Sequence, residues 1–359
     1  MLKRQSKPGY TLMLTMISIM ALIAVFVFIS SRATNYFRTS GALMDKEQAK
    51  LLALGGLQIA FAQLNQDVEK KAEKEEKGMP TDVEGKKLKE LLPILNRWQE
   101  FPLTYKADGV DGEIKICICC ENGKIDINSI YDFKKHKFVD EPDKKSDKQG
   151  ENQKTQEKEK FTIRKSLETL FKNLSTKVGG KDLFASFEKF LKERKYRLND
   201  VTELFEMPEF MVFKDKIFYN PDSKDVALND VFTTWSVDQK IQPWVLSHSL
   251  VNLFGLSEIQ VSKDGILQKN VEKALGSFKR NANWQQDWDK SLKEVYGKDY
   301  KTLSKDFGGW LNSQFEVNLF SVISWGKFRN MTQKLCAIIE KSDDKQSDTG
   351  FRILKLYWL

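Results

Sequence analysis

The feature that most limits what this chain can fold into is an uncharged apolar run, YTLMLTMISIMALIAVFVFISS, from Tyr10 to Ser31. At ~1.5 Å of rise per residue it makes a helix of roughly 33 Å, enough to cross the ~30 Å hydrocarbon core of a bilayer. The leader before it, MLKRQSKPG, carries Lys3, Arg4 and Lys7 and no acid. By the positive-inside bias the leader stays in the cytoplasm, and the bulk of the chain lies across the membrane. A cleaved secretory signal would have an apolar core of about 7 to 15 residues and a small-residue cleavage site after it. This core is longer, and the helical pattern continues beyond Arg32.

Past that point Leu54, Leu57, Phe61 and Leu64 recur at three-and-four spacing beside Lys46, Glu47 and Lys50, so one side is apolar and the other wet. A continuous helix from Tyr10 to about Leu64 would be roughly 80 Å long, with its second half packed on a globular domain. Gly55-Gly56 weakens it by about 1 kcal/mol per glycine relative to alanine. LKELLPILNRWQEF, Leu88 to Phe101, reads as a short helix kinked at Pro93. EIKICICC, Glu113 to Cys120, alternates like a strand, and Asn122-Gly123 has the chemistry of a two-residue hairpin turn into KIDINSI, Lys124 to Ile130. The helical period dominates from Phe161 to about Arg329, and KLCAIIEK and FRILKLYWL close the chain as a hairpin. The expected division is therefore a leader over 1–9, a membrane and stalk helix over 10–64, and the first part of a β region over 65–133. A charged linker over 134–160, an inserted helical domain over 161–329 and a closing hairpin over 330–359 complete it.

With 359 residues the chain can bury two or three cores after the membrane helix. The net charge of +8 would suit nucleic acid, but lysine and arginine are mixed with 50 acids in solvated runs such as EKKAEKEEKG. No nucleic-acid partner is expected. His136 and His248 are the only histidines, no GxSxG or HExxH occurs, and Gly179-Gly180 and Gly308-Gly309 lack the residues of a phosphate loop. No catalytic residue is expected. Cys117, Cys119, Cys120 and Cys336 have no zinc spacing. In a strand Cys117 and Cys119 face one way and Cys120 the other, as small hydrophobes in a core. In an oxidising compartment a disulfide from this cluster to Cys336 is open to the chain, with the pair unassigned.

A basic leader, Gly9 at the membrane border and a long apolar helix that runs on into an amphipathic one resemble the prepilin class. In that class a membrane peptidase removes the leader after the glycine, which implies cleavage between Gly9 and Tyr10. Leu14, fifth in the mature chain, stands where most pilins and pseudopilins carry a glutamate that pairs with a neighbour's terminal amine. Lack of that glutamate resembles the type II secretion minor pseudopilin K family. So do Gly123, Lys124, Ile125, Ile127 and Asn128 in ENGKIDINSI, and LNDVTELFEMPEF from Leu198 to Phe210, with Glu209 in place of the family's glycine. Phe232 to Glu258 is similar to the family's later helical unit, with Gln242-Pro243-Trp244 in place of its Asn-x-Asn.

The resemblance implies an α+β fold in which a pilin-like long N-terminal helix packs on a small antiparallel β-sheet, with a large all-α domain inserted between strands. It implies a non-enzymatic subunit that caps a periplasmic pseudopilus and initiates its assembly with minor pseudopilins of the I and J type. The prepilin peptidase, the inner membrane, and secreted cargo or the secretin are the further partners it implies. The chain would cross the inner membrane once, with its C-terminal domain periplasmic. Some members bind calcium in the α-domain, and NPDSKDVALND offers Asp222, Asp225 and Asp230 on one loop, without the ligand alternation of an EF-hand. A tip pilin of a type IV pilus or DNA-uptake machine, and a single-pass envelope protein outside any filament, are the alternatives.

Overall fold

The computed structural model describes residues 8–75, 83–141, 163–179, 182–223, 225–236, 240–259, 261–262, 266–276, 289–307, 310–312, 317–342 and 350–359. Helix α1 (Pro8–Glu75) runs unbroken for 68 residues, about 100 Å at the ordinary rise. Its large apolar side chains from Tyr10 to Ile29 are exposed. Burial begins at Ala49 and continues through Ala53, Leu57, Ala60 and Leu64, one helical stripe laid on a sheet. Leu54 lies at the margin of that stripe and is 37% exposed.

After α2 (Val83–Leu91) the chain departs from the kinked helix expected to Phe101. It turns at Asn96, whose φ of 57° ends the helical path, and continues as strand β1 (Trp98–Leu103). Strand β1 pairs antiparallel with β2 (Gly112–Cys120), Trp98 opposite Cys117, and the short α3 (Tyr105–Asp108) lies between them. Ladder hydrogen bonds and the packing of Trp98 on Trp325, with centroids 4.9 Å apart, override the helical spacing of the apolar residues.

The hairpin expected at Asn122-Gly123 does not form. Glu121–Gly123 is a 3-10 turn, and β3 (Ile125–Asp126) leaves the sheet before α4 (Ile127–Ile130) begins. A second small pair follows, β4 (Tyr131–Asp132) with β5 (Lys137–Phe138), so buried structure extends into the stretch read as linker from residue 134. The rest of that linker, 142–160, lies outside the described residues.

Then come α5 (Ile163–Val178), α6 (Leu183–Glu193), 3-10 turns over Val201–Glu206 and Pro208–Phe213, and α7 (Leu228–Val231). Strand β6 (Phe232–Thr233) runs parallel to β3, with Ile125 opposite Phe232. Helices α8 (His248–Leu253), α9 (Lys269–Gly276), α10 (Asp289–Tyr296) and α11 (Tyr300–Asp306) complete the insertion. Its core is aromatic: Phe171 packs on Phe187 and Phe232 with centroids 4.8 and 5.6 Å apart. Asp200 caps the first 3-10 turn in a reciprocal capping box with Glu203, as the Asn-Asp-Val-Thr-Glu string suggests. Gly255, at φ 59°, ends α8 before Leu256, whose N–H returns to the Val251 carbonyl.

The chain re-enters the sheet at β7 (Leu319–Phe328) and continues through β8 (Met331–Lys341) and β9 (Phe351–Trp358). The closing unit is thus a three-stranded meander, and the helical block ends before Leu319 instead of at Arg329, which sits in the β7–β8 turn. Strand order is β1-β2-β7-β8-β9, antiparallel throughout, with residues 121–318 inserted between the neighbours β2 and β7. α1 lies across β2, β7 and β8. It comes so close that a methyl on Gly56 would stand 2.9 Å from side-chain carbons of Ile114 and Ile116 and overlap the Ser324 hydroxyl. That hydroxyl donates to the Ala53 carbonyl at 2.7 Å.

Candidate functional site

Two features stand out against this frame, the uncovered half of α1 and the joint where the insertion leaves and rejoins the sheet. Along the uncovered half, the 54 residues from Leu12 to Asn65 include a stretch long and apolar enough to cross a membrane. Two hydroxyls within it are satisfied locally: Thr15 donates to the Leu12 carbonyl at 2.8 Å and Ser18 to the Leu14 carbonyl at 2.9 Å. The first cation after the run, Arg32, has its guanidinium 4.8 Å from the Phe28 ring centroid. Pro8 and Gly9 already belong to the helix, Tyr10 is exposed, and Leu14 presents an exposed apolar side chain.

The joint is built from the ENGKIDINSI block. Asn122 clamps the exit from β2 to the entry into β7: its Oδ1 accepts from the N–H groups of Asn318 at 3.3 Å and Leu319 at 3.1 Å. Its own carbonyl accepts from Gln242 N–H at 2.8 Å. Gly123 presses on the insertion so closely that a methyl there would overlap the Val245 carbonyl oxygen. Lys124 is buried, ion-paired with Glu121, and 3.3 Å from the Ser321 hydroxyl of β7. Burial works to lower the Lys124 pKa, but the carboxylates of Glu121 and Asp230 outweigh it and hold the ammonium above its ordinary value. Asp126 caps α4 by accepting from Asn128 N–H at 2.8 Å and the Ser129 hydroxyl at 3.0 Å. Burial pushes its carboxyl up to about 7, and those hydrogen bonds oppose the shift. Asn128 bridges two further segments, donating to the carbonyls of Leu198 and Thr234 at 2.8 and 3.1 Å and accepting from Leu198 N–H at 2.8 Å. On the other side of the insertion, the Tyr357 hydroxyl of β9 donates to Asp200. The polar positions quoted for the family resemblance are therefore a weld between sheet and insertion. Sequence reasoning missed the pairing of Lys124 with Glu121, three residues earlier in the same block, and the distant partners Ser321 and Asn318, which no local spacing links to it.

The cysteines alternate as expected of a strand. Cys117 and Cys119 lie with Cys336 on one face of the sheet, and Cys120 joins the core on the other. All four thiols are free and buried. Cys117 and Cys336 both lie opposite Ile323, one on each side of β7. Two strand spacings separate their Cα atoms by about 9–10 Å, beyond the ~7 Å limit for a disulfide. Cys119 lies further along the sheet and Cys120 faces away, so the pairing with Cys336 entertained from sequence is excluded in this fold by the strand between them. Burial pushes the Cys120 thiol up to about 12 and raises those of Cys117 and Cys336, which keeps them protonated and unreactive.

The three candidate calcium ligands are not brought together. Asp230 is fully buried, its Oδ2 accepting from Ser249 N–H at 2.7 Å, whereas Asp225 is exposed and paired with Lys216 at 3.0 Å. Asp222 is exposed on the preceding turn. Among the described residues, no group of three His, Cys, Asp or Glu side chains is placed to hold a metal ion.

The architecture is a long N-terminal helix packed on an antiparallel sheet, with a large insertion between adjacent strands. No protein-family model matches the chain, and no curated protein matches it. Among solved structures, it is similar to a chain of the GspK-GspI-GspJ complex from the enterotoxigenic Escherichia coli type 2 secretion system. The identity is 11% and the TM-score 0.40, over 91% of this chain and 99% of that one.

Proposed function

We propose that this protein is a minor pseudopilin of a type II secretion system, held in the inner membrane by α1 before assembly and placed at the tip of a short periplasmic filament. The observation that carries the reading is the uncovered apolar half of α1, continuous with the half that packs on the sheet and bearing Leu14 where related subunits carry a carboxylate. An unpaired carboxylate in the bilayer would cost about 2.5 kcal/mol or more, so subunits that carry one need a neighbour's amine. A subunit with leucine there has no such need and can stand first. The insertion between β2 and β7 supports the same position, since a domain of that bulk is poorly suited to repetition along a filament. Minor pseudopilins of the I and J type would pack along α1, the prepilin peptidase would cut between Gly9 and Tyr10, and the insertion would face cargo or the secretin.

Mass spectrometry of the protein from membranes tests the reading first, with a mature chain that begins at Tyr10 as the expected result. An intact Met1, or a cut near Ala33, would overturn both this reading and a type IV tip pilin. Co-purification with other minor pseudopilins, lost when residues 10–31 are replaced by an unrelated membrane helix, is the second expectation. Retention of the complex after that exchange would remove α1 as the assembly surface.

A further inference from the structure

Between the loop after α2 and the insertion lies a cavity of about 420 Å³, within the range of small-molecule sites. Trp244, Leu246 and Tyr296, all buried, form its floor, and Leu92, Leu95 and Val251 form apolar walls. Arg97, Glu258 and Val261 stand at its more exposed rim. Among the lining side-chain atoms, Asn96 Oδ1, Arg97 Nε and His248 Nε2 are buried with no hydrogen-bond partner among the described residues. Arg97 Nη1 donates to the Ser262 carbonyl at 3.1 Å, and no carboxylate among the described residues pairs with the guanidinium. Glu258 instead faces His248, 3.5 Å from Nδ1. Asn96 is held at φ 57° by its N–H bond to the Ile118 carbonyl at 2.8 Å, a backbone state rare outside glycine.

Buried polar groups in native folds find partners, and Arg97 Nε, an orphan donor lining an apolar cavity, marks where an anionic ligand would complete it, whereas Asn96 Oδ1 only accepts and is not a contact for that anion. An unneutralised guanidinium selects an anion, and its planar fork fits a carboxylate best. We propose that this cavity binds the carboxylate end of an apolar ligand, with the carboxylate on Arg97 and the apolar part against Leu92, Leu95 and Val251. A free organic acid and the C-terminus of a peptide with an apolar last residue share that chemistry. The site does not depend on the filament reading.

Calorimetric titration of the full chain in lipid nanodiscs, with 4-phenylbutyrate and with acetyl-Ala-Ala-Leu, each as free acid and as amide, tests it. The acids are expected to bind at least tenfold more tightly than the amides, and Arg97→Met to erase that preference while Arg97→Lys keeps part of it. A peptide acid that binds more than tenfold tighter than 4-phenylbutyrate identifies a chain terminus as the source, and any smaller ratio identifies a free acid. Equal binding of acid and amide, binding of neither, or a preference that survives Arg97→Met would overturn the proposal. Should Arg97→Met fail to melt cooperatively, Val261→Trp at the rim takes its place and is expected to abolish binding of both acids, with retained binding counting against the site.

Discussion

Lys124 carries its charge inside the protein, against Glu121 and within reach of Asp230 and Ser321. Removing one member of a buried ion pair costs about 3–5 kcal/mol, because the other charge is left in a medium that solvates it poorly. Lys124→Met is therefore expected to lower stability to chemical denaturation by that amount, and Glu121→Leu combined with it to recover much of the loss. Additive losses in the double-mutant cycle would show that the two side chains do not act as a pair. Asp126, two residues on, makes the fold sensitive to pH in the opposite sense from an ordinary surface carboxylate. Its folded-state carboxyl titrates at about 7 against an ordinary 3.8, so the unfolded chain gives up its proton first. The group's contribution to stability is complete below about pH 3.8 and is lost as pH rises through 7, a difference on the order of a few kcal/mol. Asp126→Asn, which keeps an acceptor for Asn128 N–H and cannot ionise, should melt progressively above the wild type between pH 4 and 8. Parallel melting curves across that range would mean that Asp126 is solvated in the folded protein.

At the scale of elements, neighbouring glycines of α1 make opposite predictions. A methyl on Gly55 would meet only a side-chain carbon of Ile114 at 3.6 Å, an ordinary contact, whereas one on Gly56 would collide with β2 and β7. Gly55→Ala should stabilise by about 0.5–1 kcal/mol through helix propensity. Gly56→Ala should destabilise by about 1–3 kcal/mol through overpacking. Equal shifts in thermal midpoint for the two variants would mean that α1 does not lie this close to the sheet. The glycine pair was visible in the sequence as a weak spot in a helix, but its purpose depends on a strand more than 250 residues away. The same holds for β7: the string LFSVISWGKF is buried on both faces, by α1 on one side and by the cysteine face on the other, so it lacks the alternation that betrays a half-exposed strand. β2, β8 and β9 were legible because their side chains do alternate or are rich in β-branched residues. WQEFPL was read as helix because LLPIL before it has helical spacing, and only the edge of β2 decides otherwise. Asn122-Gly123 carries turn chemistry, but Asn122 is taken up by β7 and Gly123 by Val245. The joint was thus readable as a motif and unreadable as a contact map.

For the whole molecule, the division of α1 into an uncovered half and a packed half predicts where the chain can be cut. Among the described residues, the first buried one of the helix is Ala49, and the ion pair of Asp45 with Arg329 at 3.2 Å is the outermost tie between α1 and the sheet region. Among the described residues, those before that tie contribute mostly exposed surface and no buried core residue. A protein that lacks residues 1–42 should therefore dissolve without detergent, elute as a monomer and melt in one cooperative transition close to that of the full chain, because α1 still fills the groove over β2, β7 and β8. Cutting instead after residue 56 removes Ala49, Ala53 and the acceptor of the Ser324 hydroxyl, and strips the cover from one face of the sheet. That second protein should aggregate or melt at least 10 °C lower, by the several kcal/mol that two or three lost core contacts represent. If both truncations behave alike, the helix is a tether instead of a structural layer, and a stalk shared with other subunits would have no rigid attachment to the domain it carries.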